Sequence, residues 1–163
     1  MSTGSVDKNV LYLVLEAINK GCRSERCIFF KLSGISHEII KNVIEYAIKN
    51  GYIEEEERGR IFKRKIFKLT DKGLKVLNNL KEEVLKEVNK TLNETKELVV
   101  KGRHEEAKRK AESIKDYIPA LAALGMIEDA LLLSFFTDAF GIVIPMMLAE
   151  EMIEDFIEDE EFM

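Results

Sequence analysis

The chain has 163 residues, 46% hydrophobic and 34% charged, which excludes disordered and collagen-like proteins and suits one compact domain or two small ones. Two cysteines are too few for a disulfide framework, and the start Met1-Ser-Thr-Gly-Ser lacks the basic and apolar regions of a secretory signal, so the expected compartment is the reducing cytoplasm. The net charge of −5 divides into +5 over residues 1–80, +1 over 81–120 and −11 over 121–163, where no Lys or Arg occurs. A basic amino-terminal half joined to an acidic carboxy-terminal part suits a protein whose first half meets a polyanion. Trp and Gln are absent while Lys, Glu and Ile are abundant, a bias of the kind found in thermophiles.

Val10, Leu11, Val14, Leu15 and Ile18 keep the helical period, with Gly21 placed for a C-cap. Ser24 is an N-cap for a short helix over 25–32, ended by Gly34. Ser36 caps a third helix running to Asn50, with Gly51 after it. On that helix Ile39, Ile40, Val43, Ile44, Ala47 and Ile48 form an apolar stripe. Short helix, turn and amphipathic helix make a helix-turn-helix pattern.

From Tyr52 to Leu69 the period changes to that of a β-hairpin. A two-residue turn at Gly59-Arg60 would set Tyr52 against Phe67, Ile53 against Ile66, and Glu54, Glu55 and Glu56 against Lys65, Arg64 and Lys63. Each such cross-strand pair contributes about 0.2–1 kcal/mol, and a slip of one residue would undo the apolar pairs.

The run Asn50-Gly51-Tyr52-Ile53-Glu54, continuing through the hairpin to Phe67-Lys68-Leu69-Thr70-Asp71-Lys72-Gly73-Leu74, resembles a stretch shared by archaeal winged-helix regulators and their MarR and PadR relatives. The resemblance covers residues 7–80 and implies a winged helix-turn-helix domain. Small archaeal DNA-binding proteins that dimerise through a long helix after the wing are the most similar group. In such proteins the third helix enters the major groove of double-stranded DNA and the wing lies on the backbone or in the minor groove. Carried onto this chain, the resemblance implies base or phosphate contacts from Ser36, His37, Lys41, Asn42 and Lys49. Phosphate contacts would come from Arg58, Arg60, Lys63, Arg64 and Lys65 in the wing. Glu38 and Glu45 share the outward face with Asn42 and oppose phosphate. The hairpin register would also neutralise Lys63, Arg64 and Lys65, leaving Arg58 and Arg60 uncommitted at the tip.

From Thr70 to Lys101 the residues Leu74, Leu77, Leu80, Val84, Val88, Leu92, Thr95 and Val99 recur every three or four positions, predicting one helix of roughly 45 Å. Its stripe must be covered, and a homodimer joined through Leu77, Leu80, Val84, Val88, Leu92 and Val99 is expected, with packing in a bundle as the competitor. Residues 104–118 predict a charged helix with Ala107, Ala111, Ile114 and Ile118 inward, and Pro119 permits a new start.

Leu131 to Leu148 is close to a membrane span in length, but Asp138, Gly141 and Pro145 interrupt it and no cation flanks it. A buried helical hairpin bent near 141–145 is expected instead, and no membrane partner. Together with Met126, Met146 and Met147 it would form an oligomer core or take a protein or small apolar ligand. Residues 150–161 hold eight acids in twelve positions, a tail that could cover the basic surface.

No catalytic triad, phosphate loop or dinucleotide fingerprint is present, and Cys22 and Cys27 with His37 and His104 lack metal-site spacing. The cysteines are expected to be buried as small apolar residues. The expected fold is mainly α with one β-hairpin. A winged helix over residues 1–80 leads to the rest of a connecting helix over 81–101 and an acidic α-helical oligomerisation or effector part over 102–163. The expected function is a cytoplasmic DNA-binding transcriptional regulator acting as a homodimer, without enzyme activity, cofactor or metal. The alternative is a protein-interaction adaptor on a winged-helix scaffold that does not bind DNA.

Overall fold

A computed structural model of the chain describes residues 6–142. Helix α1 (Lys8–Asn19) starts where the Asp7 carboxylate accepts the N–H groups of Asn9 and Val10, meeting two of the donors a helix start leaves open. Every residue from Val10 to Ile18 is buried. So α1 is the central helix, packed against α2 (Glu25–Lys31), α3 (His37–Lys49) and α4 (Asp71–Val100). The buried set includes Glu16, only 2% exposed, with Oε2 3.9 Å from the Lys81 ammonium. Burial, and then the neighbouring Glu16 charge, push the Tyr12 phenol well above its ordinary pKa.

Ser24 and Ser36 cap α2 and α3 as expected, accepting from the N–H groups of Cys27 and Ile39. Helix α3 buries Ile40, Val43, Ile44 and Ala47. Ile39, expected in that stripe, stands at its edge and is 45% exposed. Cys22 and Cys27 are buried as expected, but not as separate apolar side chains: they are joined in a disulfide, their Cα atoms 5.5 Å apart. The turn after α1 and the early restart at Ser24 bring two positions five apart into bonding range, which spacing alone does not reveal. Replacing both with serine is expected to cost about 2 kcal/mol, the chain-entropy value for so short a loop. Urea unfolding of the variant beside the parent measures it.

Strands β1 (Ile53–Arg58) and β2 (Arg64–Leu69) form an antiparallel hairpin. The register differs from the expected one. Ile53 faces Leu69, Glu54 faces Lys68, Glu55 faces Phe67, Glu56 faces Ile66 and Arg58 faces Arg64, so the turn is the five residues 59–63. The base of the hairpin decides this. Thr70 N–H donates to the Tyr52 carbonyl at 3.0 Å and its hydroxyl donates to the Gly51 carbonyl at 2.6 Å, so Tyr52 is held against Thr70 and not Phe67. Phe67 N–H instead donates to the Arg23 carbonyl at 2.8 Å, tying the wing to the disulfide loop.

The Thr70 hydroxyl also accepts from Gly73 N–H and so caps α4. That helix is 30 residues long, about 45 Å at 1.5 Å per residue. The rest of the described chain folds back along it: α5 (His104–Ala111), a 3₁₀ turn (Glu112–Tyr117), α6 (Ile118–Ala123) and α7 (Ala130–Phe140). Ala107, Ala111, Ile114 and Ile118 point inward as expected. Lys20 and Lys31 donate to the Leu124 and Ala123 carbonyls at the end of α6, where a helix concentrates negative potential. Burial, and then the Lys20 charge, lower the Lys31 pKa. Asp129 caps α7 and pairs with Lys96 of α4. One buried apolar cluster runs from Val10 to Phe136 through all these helices.

No helix among the described residues is long and apolar enough to cross a membrane. Of the bend expected near 141–145, Gly141 ends α7 with φ +64°, while residues 143–145, Met146, Met147 and the acidic tail lie outside the described residues; Met126 is half-buried.

Candidate nucleic-acid interface

The expected groove-facing residues of α3 do lie on its exposed face: Ser36, His37, Lys41, Asn42 and Lys49 are all exposed. This follows from the period, because the buried residues 40, 43, 44 and 47 occupy the opposite side. The exposed side is mixed in charge, since Glu38 and Glu45 stand beside Asn42 and Lys49. His37 is not a free reader. Its ring stacks on Phe29 of α2, centroids 4.1 Å apart and planes 4° from parallel.

In the wing the shifted register changes which cations are committed. Arg58, expected to be uncommitted, donates to Glu56 at 2.9 Å. Lys68 lies 3.4 Å from the same carboxylate and Lys65 lies 3.7 Å from Glu55, whereas the expected partners were Glu54 for Lys65 and Glu56 for Lys63. Arg64 is half-buried beside them. Arg60 and Lys63 are exposed within the turn and take part in none of these three pairs. The Arg58 and then the Lys68 hydrogen bonds hold the Glu56 carboxyl below its ordinary pKa. A carboxylate lowered in the folded state stabilises above its unfolded pKa, and that contribution is lost as pH falls through the folded value. An NMR pH titration should therefore find Glu56 protonating below the ordinary glutamate range, with the Arg58 side-chain signals moving in step.

Two apolar side chains that sequence reading passed over stand between the turn cations: Ile61 is 77% exposed and Phe62 67%. Their signal was the interruption of a charged run by two large apolar residues. It was masked by placing the turn at Gly59-Arg60, which put Phe62 in a strand.

The residues expected to join two copies are covered by their own chain. Leu77, Val84, Val88, Leu92 and Val99 are buried and Leu80 is half-buried, in the cluster formed with α1, α5 and α7. The returning carboxy-terminal helices supply the cover that the long stripe demanded, so bundle packing takes the place of the expected seam.

A cleft of about 860 Å³ opens beside α3, between Ile39, Asn42, Tyr46 and Lys49 on one side and Asp7, Val10 and Tyr117 on the other. The Tyr117 hydroxyl donates to the Asp7 carboxylate at 2.7 Å. Burial, then this bond, raise the Tyr117 pKa. Among the described residues no group of His, Cys, Asp and Glu is arranged to hold a metal ion.

The family described as wHTH-PRTase associated matches residues 12–119, a span from α1 through the hairpin and α4 into α6. It agrees with the winged helix-turn-helix level of the resemblance. No curated protein and no solved structure matches the chain.

Proposed function

The chain belongs to the wHTH-PRTase associated family, and from that membership we propose that it is a double-stranded DNA-binding protein that regulates transcription. The observation that carries this reading is the wing. Its acidic strand pairs with Arg58, Lys65 and Lys68, whereas Arg60 and Lys63 stand exposed in the projecting turn outside these three pairs. Positive charge concentrated at a projecting tip suits phosphate contact without sequence readout. Asn42 on the exposed face of α3 supplies an amide able to pair with adenine, and Lys41 and Lys49 reach phosphate or guanine. The protein acts by binding, without a reaction of its own. A homodimer on two half-sites would pair through surfaces other than the buried stripe of α4.

Fluorescence anisotropy of a labelled random-sequence duplex tests the reading. Binding at low salt that weakens as salt rises supports it, and a flat titration at low salt removes it.

The second reading is a protein-interaction adaptor that does not bind DNA. The cleft beside α3 favours it, because exposed Ile39 and half-buried Tyr46 meet Asp7, Glu45 and Asp116 there. Such a lining suits a protein surface better than a phosphate backbone. The family description, which associates this winged helix with a PRTase, makes a PRTase the partner to try first. Co-elution with such an enzyme, together with no duplex binding, would favour the adaptor.

A further inference from the structure

The Cys22–Cys27 disulfide closes the loop between α1 and α2, and that loop is tied to both elements of the candidate interface. On one side the Arg23 carbonyl, inside the loop, accepts Phe67 N–H of β2 at 2.8 Å, so the returning strand of the wing rests on it. On the other side the cross-link fixes the start of α2, whose Phe29 stacks on His37 in the first turn of α3. Helix α2 has only seven residues, too few to persist without tertiary contacts. Its Ser24 cap accepts Cys27 N–H at 3.1 Å, and Ile28 and Leu32 are wholly buried. These contacts do not depend on the sulfur bond, so breaking it loosens the joint without dissolving the core.

We propose that this disulfide is a reversible redox switch on the interface: oxidised, it fixes α2 and the wing in the arrangement that meets the duplex; reduced, it frees them and binding weakens. This rests on the duplex-binding reading and adds its regulation. The electron donor is a dithiol. One donor thiolate attacks the sulfur of Cys27, which is 7% exposed against 1% for Cys22. A mixed disulfide forms, the Cys22–Cys27 bond breaks, and Cys22 leaves with the electron pair and takes up a proton. The donor's second thiolate then attacks the donor sulfur in the mixed disulfide and releases Cys27 as the second thiol. Two electrons and two protons have passed to the chain, and the donor departs as a disulfide. A small-molecule disulfide restores the bond by the reverse exchanges: Cys27 takes one of its sulfurs and Cys22 displaces it.

The test uses the full chain, prepared oxidised and then reduced with dithiothreitol, with iodoacetamide labelling and mass spectrometry reporting free thiols. The oxidised form should be labelled at neither cysteine and the reduced form at both. Hydrogen exchange at the Phe67 amide, followed by NMR, should quicken about tenfold on reduction, because local opening becomes easier. Fluorescence anisotropy with a labelled duplex at low salt should show about fivefold weaker binding, the apparent affinity falling with the fraction of chains in the competent arrangement. Oxidised glutathione should reverse both changes. Cys22→Ser with Cys27→Ser should behave like the reduced parent and respond to neither reagent.

Equal duplex affinity in the two redox states overturns the switch and leaves the duplex-binding reading standing, and so does an oxidised preparation that labels as two free thiols. Reduction that removes the helical circular dichroism of the whole chain also overturns it, because the bond is then a staple of the fold. A double variant that still responds to dithiothreitol places the response elsewhere and overturns it as well. No duplex binding by any form at low salt overturns the switch and the duplex-binding reading together.

Discussion

Gly73→Ala is expected to destabilise the protein by about 3 kcal/mol, at the upper end for overpacking by one methyl group. A Cβ on Gly73 would lie 2.1 Å from the Tyr52 carbonyl oxygen and 2.9 Å from Leu69 Cδ1. The carbonyl cannot retreat, since Thr70 N–H holds it at 3.0 Å. Nor can the first turn of α4 rise, because Gly73 N–H is the donor that the Thr70 cap satisfies. The methyl group must therefore push apart the joint that sets the wing register. Gly102→Ala is a useful contrast. Gly102 has φ +78° but nothing within 4 Å of the added Cβ, so only the left-handed backbone is penalised, by about 1 kcal/mol. Urea denaturation of the two variants measures the difference, and equal midpoints would mean that the α4–wing joint yields.

The second large effect is on binding. Arg60→Ala combined with Lys63→Ala is expected to weaken duplex binding about ten- to hundredfold at low salt and to flatten the slope of log affinity against log salt by roughly 2, one phosphate contact per residue. Arg58→Ala should change the slope much less. Arg58 is half-buried and bonded to Glu56, so its loss frees a carboxylate of β1 without removing either turn cation. Both forms should unfold like the parent in urea, because surface changes away from caps and the core rarely exceed 0.5 kcal/mol.

Much of the fold could be read from local signals. Ser24, Ser36 and Thr70 are caps whose hydroxyls do what short polar residues before an apolar period usually do. The 3.6-residue period placed the exposed side of α3 correctly and gave α4 its full length. What local pattern could not settle were choices made by distant partners. The hairpin alignment chosen for its apolar pairs lost to the bonds of Thr70 with Gly51 and Tyr52. The stripe Leu77 to Val99 had to be covered, but whether by a second copy or by this chain depended on α5 and α7 returning alongside it. The disulfide depended on a turn geometry that no spacing rule fixes. In the candidate site, exposure of Lys41, Asn42 and Lys49 was legible from the period and that of Arg60 from its place in the turn. The engagement of His37 with Phe29 and of Arg58 with Glu56 required the folded arrangement.

The most direct measurement is a ¹⁵N–¹H correlation spectrum of the labelled protein titrated with a short duplex at low salt. A winged helix that binds DNA through this surface predicts shifts concentrated on the exposed face of α3, at Lys41, Asn42 and Lys49, and in the wing turn from Arg60 to Lys63. A spectrum that the duplex leaves unchanged would contradict it, as would shifts confined to the far side of the bundle around Lys101 and Lys108.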